Sequence, residues 1–121
     1  MLKKSLRIGK RDLNIFFKIK TRFAKGNLLT LKYAPNGPAC RTGRTKSSRW
    51  TFVVSVKFKK GAAFRNLARR RMNAVAEEIL AGVKPGYDLV FFMAVQKKRV
   101  PGFMELRDDM IDILKRSFLY V

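Results

Sequence analysis

Three features of the sequence predict an α+β fold: a small single-domain sandwich in the order α-β-β-β-α-β-α, with helices packed on a four-stranded mixed sheet. Alternating apolar residues over Trp50–Lys57 give way to a 3.6-residue apolar stripe from about Ala62 to Leu80, so a strand feeds directly into a helix. A nearly unbroken apolar segment, Asp88–Val95 (DLVFFMAV), follows and reads as a strand buried on both faces. The 121 residues suffice for one hydrophobic core and not for two, so residues 1–121 are one domain.

The elements follow in order. Asp12 can cap a first helix starting near Leu13, with Leu13, Phe16 and Phe17 on a shared face. Arg22–Ala24 reads as a brief edge strand. Leu28–Tyr33 alternates Leu29, Leu31 and Tyr33 against Leu28, Thr30 and Lys32. Pro, Gly and Ser then mark Ala34–Arg49 as a connection, a flexible loop over about residues 35–49 made basic by Arg41, Arg44, Lys46 and Arg49. In the third strand Trp50, Phe52, Val54 and Val56 form one face. The central helix carries the stripe Phe64, Ala68, Met72, Val75 and Ile79, while Arg65, Asn66, Arg69, Arg70 and Asn73 gather on the opposite arc. Arg71 falls at the stripe's margin, where a long side chain can snorkel. Gly82 suits a helix C-cap, and Lys84–Gly86 a turn. A last helix over about Phe103–Phe118 aligns Phe103, Leu106, Met110, Ile113 and Leu114. The chain shows no internal repeat.

Charge bounds the function. The chain has 28 Lys/Arg against 8 Asp/Glu, a net of +20, and 47% hydrophobic residues, so it folds and favours a polyanion. Residues 1–71 hold 21 Lys/Arg and a single acid, Asp12; residues 72–121 hold seven of each sign. All of the excess therefore lies in the first part of the chain. Cys40 is the one cysteine, which excludes an intramolecular disulfide, and there is no histidine. The N-terminal MLKKSLRIGKR lacks the apolar core of a secretory signal. No apolar run approaches the roughly 18 residues of a membrane span. These features predict a cytoplasmic protein with no membrane partner.

The residues favour binding over protein-borne catalysis. Without histidine, the usual general base near neutral pH is missing. Asp108, Asp109 and Asp112 share an arc opposite the apolar stripe of the last helix, which reads as a solvated face rather than a metal site. Phosphate binding is better supported: Arg65 and Arg69, like Asn66 and Arg70, stand one turn apart, and Lys57, Lys59 and Lys60 precede the helix. A solubilising face would normally mix both signs, yet seven Lys/Arg and no acid lie between Lys57 and Arg71. Phe17 and Tyr33, with Lys18, Lys20 and Lys32 nearby, suit stacking on unpaired bases, whereas Phe16 and Phe52 suit the core.

The run Val54-Ser55-Val56-Lys57 leading to FRNLARRR (Phe64–Arg71) resembles the signature of the bacterial ribonuclease P protein subunit. The segment from Asp12-Leu13 to Phe16-Phe17 is similar to that family's first helix, and DLVFFMAV and the terminal helix follow in the family's order. The sequence departs from the pattern at Leu67, where the family has a second arginine, and at Leu13, Val56 and Asn73.

The resemblance implies a small α+β fold with a left-handed βαβ crossover. It implies an endoribonuclease that works as a ribonucleoprotein in tRNA maturation. On this resemblance the protein would bind a catalytic RNA and the 5′ leader of precursor tRNA, and that RNA, with its own Mg²⁺, would perform the hydrolysis. No cofactor would be bound by the protein, no side chain would be catalytic, and no protein partner would be obligate. Lys59, Lys60, Arg65, Asn66, Arg69, Arg70 and Asn73 would bind the catalytic RNA. Phe17, Leu31, Tyr33, Ser55 and Lys57 would line a cleft for the leader. A small basic ribosomal or ribosome-assembly protein, with no role in cleavage, explains the charge but not the strand-to-FRNLARRR arrangement. A metal-dependent nuclease acting alone lacks clustered acids and histidine.

Overall fold

Strands β1 (Arg22–Lys25), β2 (Leu29–Pro35), β3 (Arg49–Val54) and β4 (Tyr87–Met93) and helices α1 (Gly61–Ile79) and α2 (Phe103–Arg116) follow the order β1-β2-β3-α1-β4-α2. They come from a computed structural model that describes residues 7–9, 13–14, 16–18, 20–35, 48–54, 61–84, 86–93 and 101–120. Residues 13, 14 and 16 are helical, and Phe17 N–H bonds the Leu13 carbonyl at 3.1 Å. The sheet order is β1-β2-β4-β3. β1 with β2 and β2 with β4 are antiparallel, whereas β3 and β4 are parallel and joined through α1. The four-stranded mixed sheet expected from the sequence, and the expected order of elements from β1 onward, are what the protein adopts; Asp12, the expected cap of the first helix, lies outside the described residues.

The pleat sends alternate residues to opposite faces. Leu29 and Leu31 of β2, Leu89 and Phe91 of β4, and Trp50 and Phe52 of β3 face α1 and α2, where they meet Phe64, Ala68, Met72 and Val75 and then Leu106, Met110, Ile113 and Leu114. Trp50 stacks on Phe91 at 5.9 Å, and Phe52 does so at 6.0 Å. The opposite face carries a smaller cluster, in which Ile8 and Phe16 of the N-terminal segment cover Ala34 and Val90. Central β4 is thus buried from both sides, as its composition predicts.

Four details differ from the sequence expectation. Ala34 and Pro35 belong to β2 and Arg49 to β3, so strand pairing trims the expected loop at both ends; residues 36–47, with Arg41, Arg44 and Lys46, lie outside the described residues. Arg49 is not a loop cation. Its guanidinium donates to both carboxylate oxygens of Asp88, at 2.9 and 2.8 Å, and both residues are buried. Asp109, expected on a solvated arc, is buried because its carboxylate accepts the backbone N–H groups of Asn27, Leu28 and Leu29 and so ties α2 to the β1–β2 turn. Gly82 sits in a 3₁₀ turn, Leu80–Gly82, without the positive φ of a C-cap; Gly86 has that conformation, at 88°.

Gly82 is needed for space. A Cβ there would lie 2.9 Å from the Tyr120 ring. Gly82→Ala is therefore expected to cost about 1–3 kcal/mol in urea unfolding. An unchanged midpoint would show that the ring yields freely.

Candidate nucleic-acid interface

The helical period decides which α1 side chains reach solvent. Phe64, Ala68, Met72, Val75 and Ile79 are buried, and Asn66 and Arg70 are exposed on the far side, flanked by half-buried Arg65, Arg69 and Asn73. Five donors expected from the sequence therefore share one flank of one helix. The Arg69 guanidinium donates to the Asn66 side-chain oxygen, and Asn73 Nδ2 donates to the Arg69 carbonyl at 2.9 Å. Asn66 is thereby oriented with its amide hydrogens free of that bond. Arg71 leaves the row, as its margin position suggests, and donates to the Pro101 carbonyl at 3.0 Å. Exposed Glu77 and Glu78 close the basic stretch.

The structure adds a cation that the sequence pattern missed. Arg7 bridges to Trp50 along the open edge of β3 and joins Arg69 and Asn73 around a cavity of about 430 Å³. Nothing in local periodicity links Arg7 to α1. The link is the hydrogen bond from Ile8 N–H to the Trp50 carbonyl, 3.1 Å long, which pins the N-terminal segment to the sheet edge.

The second predicted group divides. Phe17 is 49% exposed, and its ring lies 6.3 Å from Phe92 on the face opposite the main core. Leu31 is not in that cleft: it is fully buried under the helices. Tyr33 shares Leu31's parity, packs at the margin of the main core and meets Tyr87 edge-on at 6.4 Å. The pleat puts Thr30, Lys32 and Ala34 on the Phe17 side of β2, so the half of the alternation that holds Leu31 and Tyr33 faces the helices instead of the cleft expected from the sequence. Lys32 Nζ lies 5.5 Å above the Phe92 ring, and Phe23, opposite Lys32 in the β1–β2 register, is 72% exposed. Phe17, Phe23, Lys32 and Phe92 thus give this face its aromatic and cationic character. Ser55, Lys57, Lys59 and Lys60 lie outside the described residues.

Among the described residues, no three His, Cys, Asp or Glu side chains are grouped to hold a metal ion. Nor is any helix long and apolar enough to cross a membrane. Helical donors on one side and solvent-facing aromatics with a lysine on the other can bind phosphates and unpaired bases respectively.

Comparison with known proteins agrees with this architecture. The ribonuclease P family model matches residues 2–117. The ribonuclease P protein component of Chloroflexus aurantiacus is 34% identical over 76 residues, which cover 63% of this chain and 56% of that protein. The chain therefore aligns with only about half the length of such curated relatives. The RNase P protein of Staphylococcus aureus superposes with a TM-score of 0.76 at 17% identity, covering 98% of this chain and 100% of that one. That of Thermotoga maritima gives 0.75 at 22% identity, covering 91% and 96%. At such identities the superpositions speak for a common fold.

Proposed function

Because the chain belongs to the ribonuclease P family, we propose that it is the protein subunit of the ribonuclease P ribonucleoprotein and acts in tRNA maturation. In this reading α1 docks on the catalytic RNA, and the sheet face around Phe17 receives the single-stranded 5′ leader of precursor tRNA. The hydrolysis and the Mg²⁺ it needs belong to the RNA; this chain's residues bind and orient. The observation that carries the reading is the flank of Arg65, Asn66, Arg69, Arg70 and Asn73, where no acid intervenes before Glu77. Guanidinium groups one helical turn apart grip phosphate oxygens bidentately, and the Asn66–Arg69 bond holds two of the donors in position before RNA arrives. On the leader side, stacking and charge are indifferent to base identity, which suits a processor of many precursors.

Reconstitution tests the proposal. Added to a ribonuclease P RNA, the chain is expected to lower the Mg²⁺ concentration needed to cleave precursor tRNA; no effect would favour the ribosomal alternative. Arg65→Ala/Arg69→Ala is expected to bind that RNA roughly 10- to 100-fold more weakly at an unchanged Tm. Normal affinity in the double variant would remove α1 from the interface.

A further inference from the structure

The C-terminal end of α2 closes with a local conflict. Phe118 N–H bonds the Lys115 carbonyl at 3.1 Å and Leu119 N–H the Leu114 carbonyl at 2.8 Å, the paired bonds of a Schellman motif. The residue that donates the first of these bonds demands a left-handed backbone and is usually glycine, yet here it is Phe118, at φ 60°. Burial does not repay the strain, because Phe118 is 79% exposed while the next residue, Leu119, supplies the motif's apolar contact. A bulky residue held in this region, its ring in solvent, points to a task outside the folded core.

The surroundings specify the task. Phe118 lines a cavity of about 430 Å³ together with Tyr33, Tyr87, Lys20, Arg22 and Lys84. No acid lines it. The buried Ser117 Oγ, also in its wall, finds no hydrogen-bond partner among the described residues. Among the described residues, the cavity shares no lining residue with the one between Arg7 and α1, and its tyrosines have the opposite pleat parity from the Phe17 face.

We propose that this cavity is a further RNA site that takes one unpaired nucleotide, its base against the Phe118 and Tyr87 rings and its flanking phosphates on Lys20, Arg22 and Lys84. Aromatic rings bind any base by its π-face, and three cations match a strand that carries a charge at every step. The proposal rests on the chain's being an RNA binder, but not on which RNA it serves.

Phe118→Gly separates function from folding, since glycine relieves the backbone strain. In the full chain, its Tm is expected to stay level or rise by up to about 5 °C. Its affinity for a fluorescein-labelled U8 oligonucleotide is expected to fall roughly 5- to 150-fold, the loss of one stacked base. Tyr87→Leu, which keeps the apolar packing, is expected to fall in the same direction. Parallel titrations with the catalytic RNA and with precursor tRNA identify the source: whichever loses affinity in Phe118→Gly supplies the nucleotide, and a loss for U8 alone assigns the pocket to another RNA. Unchanged affinity for all three RNAs overturns the proposal, as does a fall confined to a destabilised Phe118→Gly with Tyr87→Leu unaffected. If the wild-type chain fails to assist ribonuclease P RNA while the U8 effect persists, the subunit assignment falls and the pocket stands.

Discussion

Raising salt from 50 to 200 mM is expected to weaken the chain's affinity for ribonuclease P RNA by about 10³- to 10⁵-fold, the result of releasing counterions from six to ten neutralised phosphates. The first 71 residues contain 21 Lys/Arg and one acid, so that many contacts are within reach without help from the balanced remainder of the chain. α1 supplies a defined part of the total. Each phosphate contact removed takes about one unit from the slope of log affinity against log salt, so Arg65→Ala/Arg69→Ala should flatten it by about two. Arg71→Ala should leave the slope nearly unchanged, because that side chain donates to the Pro101 carbonyl beside the core. Fluorescence anisotropy titrations across the salt series measure both. A wild-type slope corresponding to one or two contacts would exclude a phosphate-dominated interface, whatever the absolute affinity.

The contrast between Arg71 and its neighbours was legible in the sequence because a helix repeats itself locally. Phe64, Ala68, Met72 and Val75 mark the buried stripe, and every other position follows from the 3.6-residue period. Strand β2 is harder. Its alternation is visible, but which half faces the helices depends on what packs on each side, and the Phe16 cluster that covers the opposite face comes from elsewhere in the chain. Assigning the larger residues, Leu31 and Tyr33, to a solvent cleft inverted the sheet locally; Lys32 and Phe92 are the residues on the Phe17 side. The buried acids escape local reading for the same reason. Asp109 looks like any helical carboxylate until the turn at Asn27–Leu29, about eighty positions earlier in the chain, offers three backbone donors. Phe118 escaped too, since only the φ of the folded backbone reveals that its position calls for glycine.

Asp88→Ala is expected to destabilise the protein by about 3–5 kcal/mol, the usual cost of removing one member of a buried ion pair. Burial decides the size. The Arg49–Asp88 side chains are 7% and 1% exposed, so the guanidinium keeps its charge in a site built around that carboxylate. By contrast, Arg107 and Glu78 pair at 3.3 Å with 33% and 48% exposure, and screening limits such a pair to about 0–1 kcal/mol. Arg49 and Asp88 are also direct partners in the parallel β3–β4 register, at the start of the β3-α1-β4 unit. Their fit helps to fix how β3, and hence α1 with its row of donors, meets the central strand. The pair itself faces no RNA in the proposed docking, which gives the test a second arm. Arg49→Met/Asp88→Leu removes both charges and fills the space, so it should recover most of the lost stability. RNA affinity should return with it, measured below the double variant's melting temperature. Urea unfolding of the single and double variants reads the first effect, and anisotropy reads the second. A loss below about 1 kcal/mol in Asp88→Ala would mean that water reaches the pair and that the register is held by the aromatic stack of Trp50, Phe52 and Phe91 alone. Weak RNA binding by a stable double variant would instead make Arg49 part of the interface.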